Sequence, residues 1–202
     1  MNMKKLLRID SSVFGEQGVS SQLADTLTQQ LQHQNPALKV SQRNFAQDPI
    51  PHLDGAAITA LMTPPEQRSD DQQQLVSFGD QLIAEVRDAD ALIISAPMYN
   101  FQVPSMLKAW FDHLARAGST FKYTENGPVG LLNNKPVYVI TTRGGIHRDQ
   151  STDTIETFVT TMLKFIGLTD VHMIFAEGLS MGDATRQQAI ESAHQQIASI
   201  AA

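Results

Sequence analysis

Apolar positions along this chain fall into short runs and helical stripes that take turns. "KLLRI" (5–9) predicts a short strand. In "SSQLADTLTQQLQHQ" (20–34), Leu23, Leu27 and Leu31 recur every fourth residue, which predicts a helix with Ser20 or Ser21 as its cap. "LKVSQRNF" (38–45) alternates loosely and predicts an edge strand, whereas "AQDPIPHLDGAAITALMTPP" (46–65) is broken by prolines and predicts irregular structure. From Pro65, a residue suited to a first turn, a helix is predicted with Leu75, Phe78, Leu82 and Val86 on one face. "DALIISA" (90–96) is a buried strand, followed by a helix carrying Val103, Leu107, Trp110, Phe111 and Leu114. The segment 117–135 has turn residues and no period, so it reads as a long loop. "PVYVITT" (136–142) is a fourth strand. A helix over 152–167 sends Ile155, Val159 and Met162 inward and ends at Gly167. "DVHMIFAEG" (170–178) is the fifth strand, and Ile190, Ala193 and Ile197 mark a last helix from Asp183.

Five strands alternating with five helices imply an α/β three-layer sandwich, a five-stranded parallel sheet covered on both faces. The flavodoxin-like order 2-1-3-4-5 suits that count, and it brings the carboxyl ends of strands 1, 3 and 4 together at the switch point, where such sheets bind ligands. Three unusual loops leave those ends. "DSSVFGEQGVSS" (10–21) puts Ser11, Ser12, Gly15, Gly18, Ser20 and Ser21 just before a helix N-terminus, where free N–H groups and the dipole suit an anion, although the same residues suit a flexible loop with an ordinary serine cap. "PMYNF" (97–101) sets Met98, Tyr99, Asn100 and Phe101 in a turn, where burial is poor. "TTRGG" offers Thr142, Arg143 and the Gly144–Gly145 pair, whose backbone can approach a ligand closely. Together the loops favour a mononucleotide with a flat ring, its phosphate at the first loop.

The rest of the composition narrows the function. The chain has 202 residues, of which 42% are hydrophobic and 18% charged, which predicts one globular domain over 1–202. A net charge of −6 speaks against a nucleic-acid partner. With no cysteine there is no thiolate nucleophile or zinc–thiolate site. The start, "MNMKKLLRID", holds no long apolar stretch, and no run approaches the roughly 20 apolar residues that cross a bilayer, so a cytoplasmic protein away from the membrane is expected. The six histidines show no metal-ligand spacing; His147 flanks the third loop, and His172 lies in a strand.

"SAPMYNFQVPSMLKAWFDHLARAGSTFKYTENGPVGL", "TTRGGIH", "FIGLTDV" and "FAEG" resemble the bacterial FMN-dependent NADH:azoreductases, also described as NADH:quinone oxidoreductases, over nearly the whole chain. The resemblance implies a flavodoxin-like homodimer with non-covalent FMN and active sites at the subunit interface. It implies hydride transfer from NADH or NADPH through FMN to quinones and to azo compounds, in ping-pong order, with the azo bond cleaved to amines. By position, the FMN contacts fall on Ser12, Gly18–Ser20, Met98–Phe101 and Thr142–Gly145. Relatives are richer in serine where this chain has Gly18 and Val19, which offer backbone N–H groups alone. Asn100, Arg143 and the two glycines would meet ring heteroatoms, with Tyr99 and Phe101 as walls; Tyr123, Phe165 and His147 would border the substrate. Since the cofactor carries the hard chemistry, no single catalytic side chain is implied. Trp110, Phe111 and Leu114, with Phe121 and Tyr123, offer more bulky apolar surface than one sheet face needs, which is the expected dimer surface. A flavodoxin-type electron carrier and a non-catalytic flavin sensor remain open alternatives.

Overall fold

The computed structural model describes residues 3–200. Five strands form a fully parallel sheet: β1 (Lys5–Asp10), β2 (Lys39–Asn44), β3 (Ala91–Ser95), β6 (Val137–Thr142) and β7 (Val171–Ala176). Their order is β2-β1-β3-β6-β7, the expected 2-1-3-4-5 once a separate hairpin, β4 (Phe121–Thr124) and β5 (Gly127–Gly130), is counted. The helices are α1 (Val19–Gln34), α2 (Gly55–Met62), α3 (Asp70–Asp88), α4 (Ser105–Leu114), α5 (Thr154–Ile166) and α6 (Asp183–Ile200).

Strand periodicity of two divides the interior into two cores. Leu7, Ile9, Leu92, Ile94, Val137 and Val139 point to one face, where α3, α4 and α5 cover them. Leu6, Ala91, Ile93, Tyr138 and Ile140 point to the other, under α1 and α6. This double covering is why the central strands read as continuous apolar runs.

Several expectations are corrected. The 117–135 segment is not all loop. Its "TENG" closes the β4–β5 hairpin, with Gly127 at φ 103°, and Phe121 packs on Phe165 with ring centroids 4.2 Å apart. The 46–65 segment contains α2, started by Asp54, whose side chain accepts from Ala57 N–H at 2.8 Å. Pro65 begins a 3-10 turn, not α3; that helix starts after a capping box of Ser69 and Gln72. Its inward face runs through Val76, Leu82, Ile83 and Val86, leaving Leu75 exposed. Neither Ser20 nor Ser21 caps α1: Gly18 is its N-cap, and both serines lie buried in the first turn. Trp110, Phe111 and Leu114 are fully buried within this chain, where Phe111 meets Phe158 edge-on at 5.7 Å. Their bulk is packed into the core within this chain and is not offered to a second subunit.

Candidate nucleotide site at the carboxyl edge of the sheet

The loop after β1 is anchored from below by buried charge. Arg8 Nε lies 2.8 Å from Asp10 Oδ2, too poorly aligned for a hydrogen bond yet a close ion pair, and a second nitrogen of Arg8 donates to Ser21 carbonyl at 3.0 Å. Asp10 also accepts from Gln42 at 2.6 Å and from Ser95 Oγ at 2.9 Å, while Ser11 Oγ donates to Ser95 carbonyl at 2.5 Å. Strands β1, β2 and β3 and the start of α1 are thus tied at one point. A buried pair of this kind fixes geometry more than it adds stability.

Above this network the chain turns at Gly15 (φ 55°) and enters α1. Gly18 passes so close to Ser12 that a Cβ on it would stand 2.2 Å from Ser12 Oγ. Ser12 Oγ also lies 3.2 Å from the Tyr99 hydroxyl, joining the loops after β1 and β3. The first N–H groups of α1 have no intrahelical acceptor. Beside them the Ser20 hydroxyl, in a residue 1% exposed, has no hydrogen-bond partner. An orphaned buried donor next to free N–H groups at a helix N-terminus fits an incoming phosphate.

These groups open on a cavity of about 310 Å³. Its floor is Ser12, Gly18, Val19 and Ser20; Met98 and Tyr99 form one wall, and Thr142, Arg143 and Gly144 the other. Met98 N–H donates to Thr142 carbonyl at 2.8 Å, so the two walls are held in register. A cavity of about 400 Å³ elsewhere, between β2 and α3, is larger, but its Arg43 is already committed to Glu85 and Asp48.

Nine of the expected site residues therefore meet in one cavity. Asn100 and Phe101 stand beyond its lining, in a turn with φ of 50° and 65°. Gly145 lies under His147, whose Nε2 would be 3.0 Å from a Cβ there. Tyr123 and Phe165 belong to a separate aromatic cluster around Phe121, away from the cavity lining. The expected use of the Arg143 guanidinium on ring heteroatoms is corrected. That group is buried, bonded to Asp153 at 2.7 and 2.8 Å and to Glu177 at 3.1 Å, with the Phe175 ring 5.2 Å below. Only the main chain of residue 143 is left to face a ligand.

Four lining residues were not foreseen: Phe14, Pro97, Leu179 and Ser180. Leu179 and Ser180 leave the carboxyl end of β7, and their N–H groups donate to Arg143 and Gly144 carbonyls at 3.1 and 2.9 Å. Glu177 accepts from His147 and Arg148 N–H at 2.8 and 2.9 Å, suspending the whole glycine loop. Applying the carboxyl-edge rule to the fifth strand as well would have found Leu179 and Ser180; Phe14 and Pro97 lie within the two loops already singled out.

A sheet of this order with an anion cradle at its switch point defines a flavodoxin-like, mononucleotide-binding class. The family described as flavodoxin-like fold matches residues 4–201, and the chain belongs to it. It is 51% identical to the FMN-dependent NADH:quinone oxidoreductase of Cellvibrio japonicus (strain Ueda107), over 96% of this chain and 97% of that one. The protein of the same name from Saccharophagus degradans is 49% identical over 98% of this chain and 93% of its own. The crystal structure of an azoreductase from Bacillus anthracis str. Sterne superposes with a TM-score of 0.90 at 24% identity, covering 98% of this chain and 99% of that one.

Proposed function

We propose that this chain is an FMN-dependent NADH:quinone oxidoreductase that also reduces azo compounds. The observation that carries the reading is the cavity at the switch point, where a buried hydroxyl without a partner sits beside the free N–H groups of α1. Curated relatives at about half identity bear the matching name.

Ser20 and the first turn of α1 hold the phosphate, Gly18 leaves it room, and Ser12 is kept in place by Tyr99. Met98 and Tyr99 wall one side of the flat ring; the main chain of Thr142–Gly145 meets its polar edge. Asn100 and Phe101 at the rim, with His147, face the space where acceptors enter. Tyr123, exposed on its hairpin, and Phe165 reach a substrate only across a subunit boundary, which makes a homodimer with shared sites part of the proposal. When bound, FMN supplies a ring that takes hydride from a nicotinamide and passes it on. A single face used by both substrates in turn gives ping-pong kinetics. Cleaving an azo bond to two amines takes four electrons, hence two NADH per dye.

No helix among the described residues is long and apolar enough to cross a membrane. The test is steady-state NADH oxidation by the FMN-loaded protein with benzoquinone and with methyl red. Parallel double-reciprocal lines and two NADH per dye are expected. A protein that holds FMN but consumes no NADH with either acceptor is an electron carrier, and the proposal fails.

A further inference from the structure

Three consecutive residues at the start of α5 each grip a different residue of the candidate site. Thr152 Oγ1 lies 2.9 Å from His147 Nδ1. Asp153, the N-cap of α5, binds the Arg143 guanidinium through both oxygens. Thr154 Oγ1 donates to the Phe101 carbonyl, across 53 positions of sequence. None of the three lines the cavity. What they join is its rim: the loop after β3 and the loop after β6.

The contact to Phe101 has strain to offset. Tyr99 and Gln102 exchange two backbone hydrogen bonds of 2.9 and 3.1 Å, closing a two-residue hairpin around Asn100 and Phe101. Such a turn demands positive φ at both central residues, and asparagine followed by glycine is its usual sequence. Here the glycine is replaced by phenylalanine at φ 65°. Asparagine tolerates the left-handed region, but a bulky side chain is an outlier there. Strained backbone of this sort persists where its surroundings over-determine it, and it clusters at ligand clamps. Two restraints act on Phe101 from outside the turn. One is the Thr154 hydroxyl on its carbonyl. The other is the edge-to-face contact of its ring with His147, centroids 5.7 Å apart, and His147 is itself held by Thr152 and Glu177.

We propose that Thr154 is a positioning residue of the reaction site: by holding the Phe101 carbonyl it keeps the Asn100–Phe101 turn left-handed and sets the attitude of the rim toward the entering acceptor. Thr152 serves His147 in the same way. The role in acceptor turnover rests on the function proposed above; the hold on the turn does not.

Thr154→Val removes the hydroxyl at nearly constant volume, and Thr154→Ser restores it. Residue 154 opens α5, so neither change touches an intrahelical N–H bond. Thr160→Val is the control, because the Thr160 hydroxyl bonds Glu156 carbonyl within the same helix at 2.6 Å. Should Thr154→Val fail to fold, Thr154→Ala replaces it. The first readout is the sign of φ at Asn100 and Phe101 in the flavin-free chain, from intraresidue amide–Hα Overhauser effects and couplings. Thr154→Val should lose the left-handed signature, while Thr154→Ser and Thr160→Val keep it. The second readout is kinetic, on the FMN-loaded protein. Thr154→Val should lower kcat/KM for benzoquinone about five-fold, the worth of one hydrogen bond, with FMN affinity within about two-fold of wild type and serine rescuing the loss. Retention of positive φ in Thr154→Val overturns the proposal, as does an unchanged kcat/KM once the turn is released. If wild type takes up no FMN, it is the functional reading that falls, and the φ readout still decides whether Thr154 holds the turn.

Discussion

A Cβ on Gly18 would stand 2.2 Å from Ser12 Oγ and 2.7 Å from Ser12 Cβ. One methyl group there must push Ser12 away from Tyr99 or lift the start of α1. Gly18→Ala is therefore expected to weaken FMN binding about ten-fold, the loss of one to two hydrogen bonds at the phosphate end. Fluorescence titration checks it, and wild-type affinity would mean that Ser12 has room to move at no cost. Arg143 makes the opposite point. Its charge is wholly inside the protein, so Arg143→Met should cost about 3–5 kcal/mol by leaving Asp153 and Glu177 buried without their cation. Urea unfolding would measure that loss, and a cost below about 1 kcal/mol would contradict the burial of the pair. Sequence placed both residues at the site through their loops. It could not tell that the Arg143 side chain points away from the cavity, because its partners lie 10 and 34 positions downstream. Gly18 was legible as a backbone-only donor, but its contact with Ser12 depends on the turn at Gly15 and has no sequence pattern.

Strands and long helices were legible because their burial is set by their own period; short elements were not, because their burial comes from elsewhere. The hairpin strands "FKYT" and "GPVG" alternate weakly. Their anchor is Gly130, where a Cβ would come within 2.1 Å of Gly167 N at the end of α5. That backbone-to-backbone contact explains why both residues are glycine, and neither signals it alone. Helix α2 has eight residues, two of them buried, flanked by prolines, and so left no stripe to read. In α3 the expected face holds at Leu82 and Val86, with Phe78 packed against the core, but at its start Val76 is buried in place of Leu75. One link between elements can be tested by pH. Asp90, just before β3, accepts from Lys4 and Lys5 N–H at 2.7 and 2.9 Å, and these bonds hold its carboxyl below the ordinary 3.8. A carboxyl lowered on folding adds stability above its unfolded value and loses it as pH falls through the folded one. Asp90→Ala should thus melt below wild type at neutral pH, with the gap closing at pH well under 3.8; a gap independent of pH would rule out the carboxylate as its cause.

At the scale of the whole molecule, alternation of strand and helix was enough to give the sheet order and the edge where the site lies. The expected subunit contact fared differently. The bulk of α4 is used up inside the chain, whereas Phe14, Phe101 and Tyr123 are 67%, 56% and 75% exposed. If a second copy covers the cavity mouth, those residues bury together, and dilution should lower mass and NADH oxidation in parallel. Light scattering over a dilution series with activity measured alongside checks this, and a monomer of full specific activity would contradict shared sites. The proposed role of Ser20 and the start of α1, holding the phosphate of FMN in the cavity at the switch point, is open to a direct measurement. The direct measurement is calorimetric titration of wild type and Ser20→Ala with FMN and with riboflavin, which lacks the phosphate. Tight FMN binding, far weaker riboflavin binding, and a loss of about ten-fold for FMN alone in Ser20→Ala, the worth of a charge-assisted hydrogen bond, are expected. Equal affinity for the two flavins, or a Ser20→Ala variant that binds FMN as wild type does, would contradict that role.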